Sequence, residues 1–289
     1  MNTNVIGIRT YYLLTKPGII FGNLITTAAG FLLASKGQFH PWLFLATLVG
    51  LGGVIGSACI LNNYMDRKAD EKMERTQNRG FVKGTVSVKG ALSLALFLVV
   101  FGSFVLGYYT NFLAMLVGLA GFFGYVLLYG ICKYRSTYGT IIGSLAGAAP
   151  PVVGYCAVSG RFDMGAFLLY LILVLWQMPH FFAIAMYRVK DYAAASIPVL
   201  PVKRGNYVTK IHMLFYVIAF TISTFMLTLF GFTGPLYLAA SAILGTSWIW
   251  LSVKGFKAQN DSVWARKMFA LSLAIITALC LAMAVDVVR

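Results

Sequence analysis

Long apolar stretches separated by short polar turns recur along the whole chain. A helix that crosses a bilayer needs roughly 20 predominantly apolar residues, and stretches of that kind fall at 17–35, 41–63, 91–109, 112–132, 138–158, 164–186, 211–231, 234–253 and 268–287. The pattern predicts an all-α fold, a polytopic membrane bundle of about nine transmembrane helices with a central cavity. No soluble domain fits between the spans, so residues 1–289 are expected to form one membrane domain. Two loops rich in polar residues follow the second and sixth spans, one four-helix period apart. That spacing suggests two related halves of about four helices, facing each other and followed by a final helix.

Composition agrees: 60% of residues are hydrophobic, 11% are charged, and mean hydropathy is +0.81, which excludes an ordinary soluble domain. Of the 23 Lys and Arg, all but Lys36, Arg161 and Arg289 fall in the terminus and loops expected on one side. This bias places the N-terminus and both motif loops in the cytoplasm and the C-terminus outside. The net charge of +15 therefore belongs mostly to one face, and it points to anionic lipid headgroups and phosphate. No pattern for binding nucleic acid is present. The start does not read as a cleaved signal peptide, because Thr10–Lys16 is polar and the first apolar run outlasts an h-region. Cys59, Cys132, Cys156 and Cys280 are scattered through apolar segments without metal or redox spacing and read as core residues.

The chemistry concentrates in LNNYMDRKADEKMERTQNRG, at the polar end of the second span. Asn62, Asp66 and Asp70 are four residues apart, so on a helix they share one face. Carboxylates so close repel each other unless a cation lies between them. Hard oxygen ligands of this kind suit Mg²⁺, which keeps several waters and takes further ligands from substrate phosphates. A solvated helix end with ordinary charge pairs is the competing reading, since Arg67, Lys68, Lys72, Glu74 and Arg75 surround the acids. The loop after the sixth span, HFFAIAMYRVKDYAAASIPVLPVKRG, adds Asp191 with Tyr187, Arg188, Lys190 and Tyr192. Pro198 and Pro201 are expected to break any helix there and hold the segment as a structured turn. Together the two loops offer acids for a metal and bases for a diphosphate.

At these residues the chain resembles the UbiA superfamily of intramembrane prenyltransferases, through N-x-x-x-D-x-x-x-D in NNYMDRKADEKMERTQNR and through YRVKDYAAASIPVLPV. Within it, TKPGI at Thr15–Ile19, MERT at Met73–Thr76, GSLAGAAPPVVGY at Gly143–Tyr155 and WQMPHF at Trp176–Phe181 resemble the haem-farnesylating members. Gly80–Phe81 departs locally, where many relatives have Pro-Leu. The resemblance implies that farnesyl diphosphate is ionised with Mg²⁺ and that the allylic cation adds to the 2-vinyl group of haem B, water completing the new side chain. It implies Asp66, Asp70 and Asp191 as metal ligands, with Asn62 as a further oxygen ligand or an orienting group. Arg67, Lys72, Arg75, Arg79, Arg188 and Lys190 become candidates for the diphosphate. The faces of Tyr64, Tyr187 and Tyr192 are placed either to stabilise the cation or to anchor the protein at the membrane interface. The resemblance also implies a bacterial inner membrane and, as partner, a haem-receiving terminal oxidase or haem A synthase. The alternatives are an aromatic prenyltransferase of quinone biosynthesis and, in a different class, a cation-coupled transporter with intramembrane acids near the midplane.

Two features bear on the second substrate. Gly143–Tyr155 gathers small residues around Pro150–Pro151, suited either to close helix packing or to a planar ligand. His180 is the one histidine expected within a span and away from its end residues, directly after Pro179, whereas His40 and His212 fall at span ends. Its imidazole has three open roles: ligand of haem iron, hydrogen-bond partner of a haem propionate, or partner of a backbone carbonyl freed by the proline. Asn23 and Gln177, polar within spans, are functional candidates by the same logic.

Overall fold

The computed structural model describes residues 7–288. Arg289, one of the exceptions to the charge bias, and residues 1–6 of the terminus expected in the cytoplasm lie outside the described residues. Among the described residues nine helices are long and apolar enough to cross a membrane: Pro17–Ser35, Pro41–Asp70, Val88–Tyr109, Phe112–Cys132, Gly139–Ser159, Met164–Tyr187, Leu200–Leu229, Pro235–Lys257 and Asp261–Val285. They are called the first to ninth spans below. Two short helices, Ile8–Leu14 and Val189–Ala194, accompany them.

Local chemistry explains most of the starts. Pro17, Pro41, Pro201 and Pro235 sit in first turns, where the missing N–H costs nothing and φ is already helical. Ser87, Asn111, Asp163 and Asn260 cap their helices by accepting from backbone N–H groups, each cap being worth about 1 kcal/mol. Pro201 therefore opens the seventh span instead of breaking a helix, a correction to the sequence expectation. Pro198 does lie in non-helical chain. Helical residues begin at Leu200, not near 211, but as a short helix that meets the rest of the seventh span at a break in the helix at Gly205. There φ is 77° and ψ 171°, open to glycine and costly for other residues.

Neighbouring spans pack in a closed ring, the second against the third, the seventh between the sixth and eighth, and the ninth back against the first. The fifth span is broken at Ala148, and its second half lies along the first span. That contact is as close as backbones allow. A Cβ on Gly30 would fall 2.0 Å from the Pro151 carbonyl oxygen, and one on Gly154 would fall 2.0 Å from that of Thr27. The small-residue segment Gly143–Tyr155 is thus used for helix packing. Its Gly147 is likewise covered, by the Gln177 side chain. The apolar residues left exposed, among them Phe97, Phe101, Phe104, Leu229 and Trp250, face outward as lipid-facing positions should.

Candidate active site

The second span stays helical to Asp70, so Asn62, Asp66 and Asp70 occupy its last turns on one face, as the spacing predicts. Each acid is held by a cation from elsewhere. Arg79 Nη1 donates to Asp70 Oδ2 at 2.7 Å, and Asp70 is almost fully buried. Asp66 Oδ1 pairs with Lys133 Nζ and accepts from the Tyr134 hydroxyl at 2.6 Å. In the sixth-span loop, Arg188 Nη1 stands 4.0 Å from Asp191. The two motif segments meet through an apolar cluster of Met73 with Ala195 and Ile197, against which Ala69 and Tyr192 pack.

Electrostatics link the same groups. Burial pushes the Tyr192 hydroxyl up, opposed by Arg75 and reinforced by Tyr187, Asp191 and Asp66. Burial lowers the Lys133 ammonium, with Asp66 partly restoring it. Lys16, just before the first span, is lowered to about 8, chiefly by burial, with Arg79 adding to the fall and Asp66 and Asp70 opposing it. Its backbone is left-handed, φ 53°, a conformation that costs a non-glycine residue about 1–2 kcal/mol. Strain of this kind gathers where geometry serves function.

Asn62 is oriented by Lys16, whose Nζ donates to its Oδ1 at 3.3 Å. Among the described residues its buried Nδ2 has no partner, and neither does the buried Arg188 Nε. In this arrangement Asn62 offers an N–H donor, while its oxygen is spent on Lys16. Two unspent buried donors beside three carboxylates suit an anionic oxygen ligand together with a hard cation. Among the described residues, no group of three or more His, Cys, Asp and Glu is drawn together tightly enough to hold a metal ion by itself. A cation that takes waters and phosphate oxygens does not need one.

The other expected residues divide. Arg67 is folded onto its own helix, donating to the Tyr64 carbonyl at 2.7 Å and lying 4.1 Å from the centre of the Tyr64 ring. Tyr64 has its edge-on partner in Phe81, at the Gly80–Phe81 departure. That ring face is therefore occupied by Arg67. Arg188 and Arg266 approach the Tyr187 ring at 5.5 and 5.8 Å. Lys72, Arg75 and Lys190 are exposed and make no ion pair among the described residues. His180 is buried in the sixth span between Trp176 and Phe269, and its Nδ1 lies 2.8 Å from Ser272 Oγ, so the carbonyl freed by Pro179 is not its partner.

Lys16, Lys133, Tyr134 and Tyr129 join the site without having been singled out in the sequence. Tyr129 ends a π-helical turn, Gly124–Tyr129, an irregularity frequent at functional sites, and its ring lies 5.0 Å from Lys133 Nζ. A signal existed in the basic K-Y-R at 133–135, in a loop on the motif side. Two recesses lie elsewhere, one of about 290 Å³ at Lys254, Trp264 and Lys267 and one of about 230 Å³ at Leu32, Phe39 and Val285. Both recesses are lined without any acid, whereas the carboxylates and their cations gather at the span ends.

Fold and site together define a class: a polytopic membrane protein with oxygen ligands, cations and orphan donors gathered at the ends of its spans, built to handle a phosphate-bearing substrate from the bilayer. The chain belongs to the UbiA prenyltransferase family, which it matches over residues 23–274. It is 52% identical over 282 residues to the protoheme IX farnesyltransferase of Protochlamydia amoebophila, covering 98% of this chain and 100% of that protein. Among solved structures, a digeranylgeranylglyceryl phosphate synthase superposes with a TM-score of 0.80 at 18% identity, over 97% of this chain and 98% of that one. A UbiA homologue from Archaeoglobus fulgidus bound to GPP and Mg²⁺ gives 0.66 at 13% identity, over 96% and 99%. These two likenesses concern the fold.

Proposed function

We propose that the protein transfers the farnesyl group of farnesyl diphosphate to the 2-vinyl group of haem B, giving haem O. The C1–O bond breaks heterolytically and its electron pair leaves with diphosphate. The vinyl π pair then bonds to C1, water captures the cation left beside the pyrrole, and a proton is lost. Support for haem as acceptor comes from the 52% identity, end to end, with the Protochlamydia protein of that name.

The barrier is charge separation, and the chain's residues address it. Lys133, Arg79 and Arg188, which hold the acids here, are also the cations able to turn to a departing diphosphate, with the free Arg75, Lys72 and Lys190 at the rim. The unspent Asn62 Nδ2 and Arg188 Nε supply further donors. Asp66, Asp70 and Asp191 would hold Mg²⁺, which when bound neutralises charge on the leaving group. Tyr129, Tyr187 and Tyr192 line the approach with π faces suited to an allylic cation. His180 is assigned to the haem iron, in keeping with its burial at membrane depth.

The charge bias supports an N-terminus and motif loops in the cytoplasm and a C-terminus outside, and the likeness to bacterial relatives supports an inner membrane. One domain in two related halves with a final helix is supported by the period between the motif segments, and haem O would pass to a terminal oxidase or haem A synthase. The test is turnover by the purified protein with farnesyl diphosphate and Mg²⁺. Diphosphate release should require haem B and stop on chelation of the metal. Release driven equally well by a phenolic acid would favour the quinone-type reading.

A further inference from the structure

Resting on the assignment of His180 to haem iron, one neighbour gains a role. The Ser272 hydroxyl has a single proton, and its Oγ lies 2.6 Å from the Phe269 carbonyl oxygen, one turn back on the ninth span. Two oxygens this close without a hydrogen between them would repel, so the serine proton is committed to Phe269. Towards His180, 2.8 Å away, Ser272 Oγ has only a lone pair to give. The proton between them must then be on the imidazole Nδ1. Among the described residues Nε2 makes no hydrogen bond and, unlike Trp248 Nε1, is not a sealed atom.

We propose that Ser272 is a positioning residue, which fixes His180 as the Nδ1–H tautomer and leaves Nε2 unprotonated for the iron. The ring has little freedom to escape this role. Trp176 stacks on it at 4.6 Å and 24°, Phe269 lies 4.8 Å away on the other side, and Trp176 Nε1 donates to the Ser272 carbonyl at 2.9 Å. The sixth and ninth spans are thereby pinned on both sides of the imidazole. Ligating histidines generally depend on such an outer partner, whose loss costs about 10–100-fold in metal affinity. His180 also lies two turns before Tyr187, about 10 Å along the helix at ~1.5 Å per residue. Tyr187 touches the same Phe269 ring, at 5.8 Å. An iron at His180 would thus lie deeper in the membrane than the acids, on the face that leads to them.

Two measurements test this. The chain has three histidines, so ¹⁵N spectra of the haem-free protein in nanodiscs, with His180→Ala for assignment, read the tautomer directly. The expected result is an Nδ1–H signal for His180 that becomes a tautomer mixture in Ser272→Ala and returns in Ser272→Thr. An Nε2–H tautomer in the parent, or no change in Ser272→Ala, overturns the proposal whatever haem does. With haem B added, the ferrous iron–histidine stretch should be absent in His180→Ala, and in Ser272→Ala it should fall in frequency with about tenfold weaker haem binding. A stretch that persists in His180→Ala overturns the ligation itself, a failure that the haem-free spectra keep distinct from a failed tautomer assignment.

Discussion

Lys16 shows how much one residue's surroundings decide. Its ammonium is protonated below about 8 and neutral above, whereas in the unfolded chain it keeps its proton to about 10.5. Between those values the unfolded chain binds more protons, so folding is favoured as pH rises. Binding of an anion has the opposite sign. Affinity for farnesyl diphosphate should fall as pH rises through about 8, and Lys16→Arg should hold it constant across that range. Identical pH profiles in parent and variant would remove Lys16 from the site. The carboxylates make a second prediction: Asp66→Asn, Asp70→Asn and Asp191→Asn keep shape while losing a metal ligand, so each should cut turnover by about a hundredfold or more with the protein still folded. Glu74→Gln, exposed and beyond the end of the helix at Asp70, should keep the parental rate. Parental haem O production by Asp70→Asn in saturating Mg²⁺ would rule out the assignment. Asp66 and Asp70 were legible because helical spacing alone aligns them. Tyr134 was not, because it reaches Asp66 across 68 residues of sequence, a contact that only the folding of the fourth-span loop over the second span creates. Arg67, a candidate for the diphosphate by sequence, is drawn aside here for a local reason: its own helix offers it a carbonyl and an aromatic face.

The spans themselves were visible in the hydropathy pattern, and their ends were where it failed. Apolar residues stop near 63 in the second span, yet the helix continues to Asp70, because backbone hydrogen bonds do not require apolar side chains. The seventh span gained its first turns from Pro201 and lost regularity only at Gly205. The close contact of the first and fifth spans was legible only as an alternative, because small residues admit both a ligand and a neighbouring backbone. The structure decides for the backbone, and the consequence is measurable. Gly30→Ala puts a methyl 2.0 Å from the Pro151 carbonyl oxygen and should cost about 1–3 kcal/mol or more, read as a lower unfolding temperature in detergent. Gly22→Ala, with nothing within 4 Å of the added carbon, should be near neutral. Equal behaviour of the two would mean that the spans are less tightly packed than described.

For the whole molecule, the proposed orientation and the proposed substrate rest on the same basic residues. The cations that would keep the motif loops on one side of a membrane are available to a diphosphate there. The acids lie at the ends of spans, not at mid-membrane as a cation-coupled transporter would require. Cysteines introduced singly into the turn at residues 71–87 and at residues 37–40 should label from opposite sides of sealed vesicles. Labelling of both from one side would overturn the proposed topology. The most direct test of the central claim is mass spectrometry of haem extracted from membranes of a host lacking haem O, with and without this protein expressed. The account predicts a new haem species heavier than haem B by one farnesyl group and one hydroxyl, absent with Asp70→Asn. Haem B unchanged, in membranes that hold the folded protein and ample farnesyl diphosphate, would contradict it.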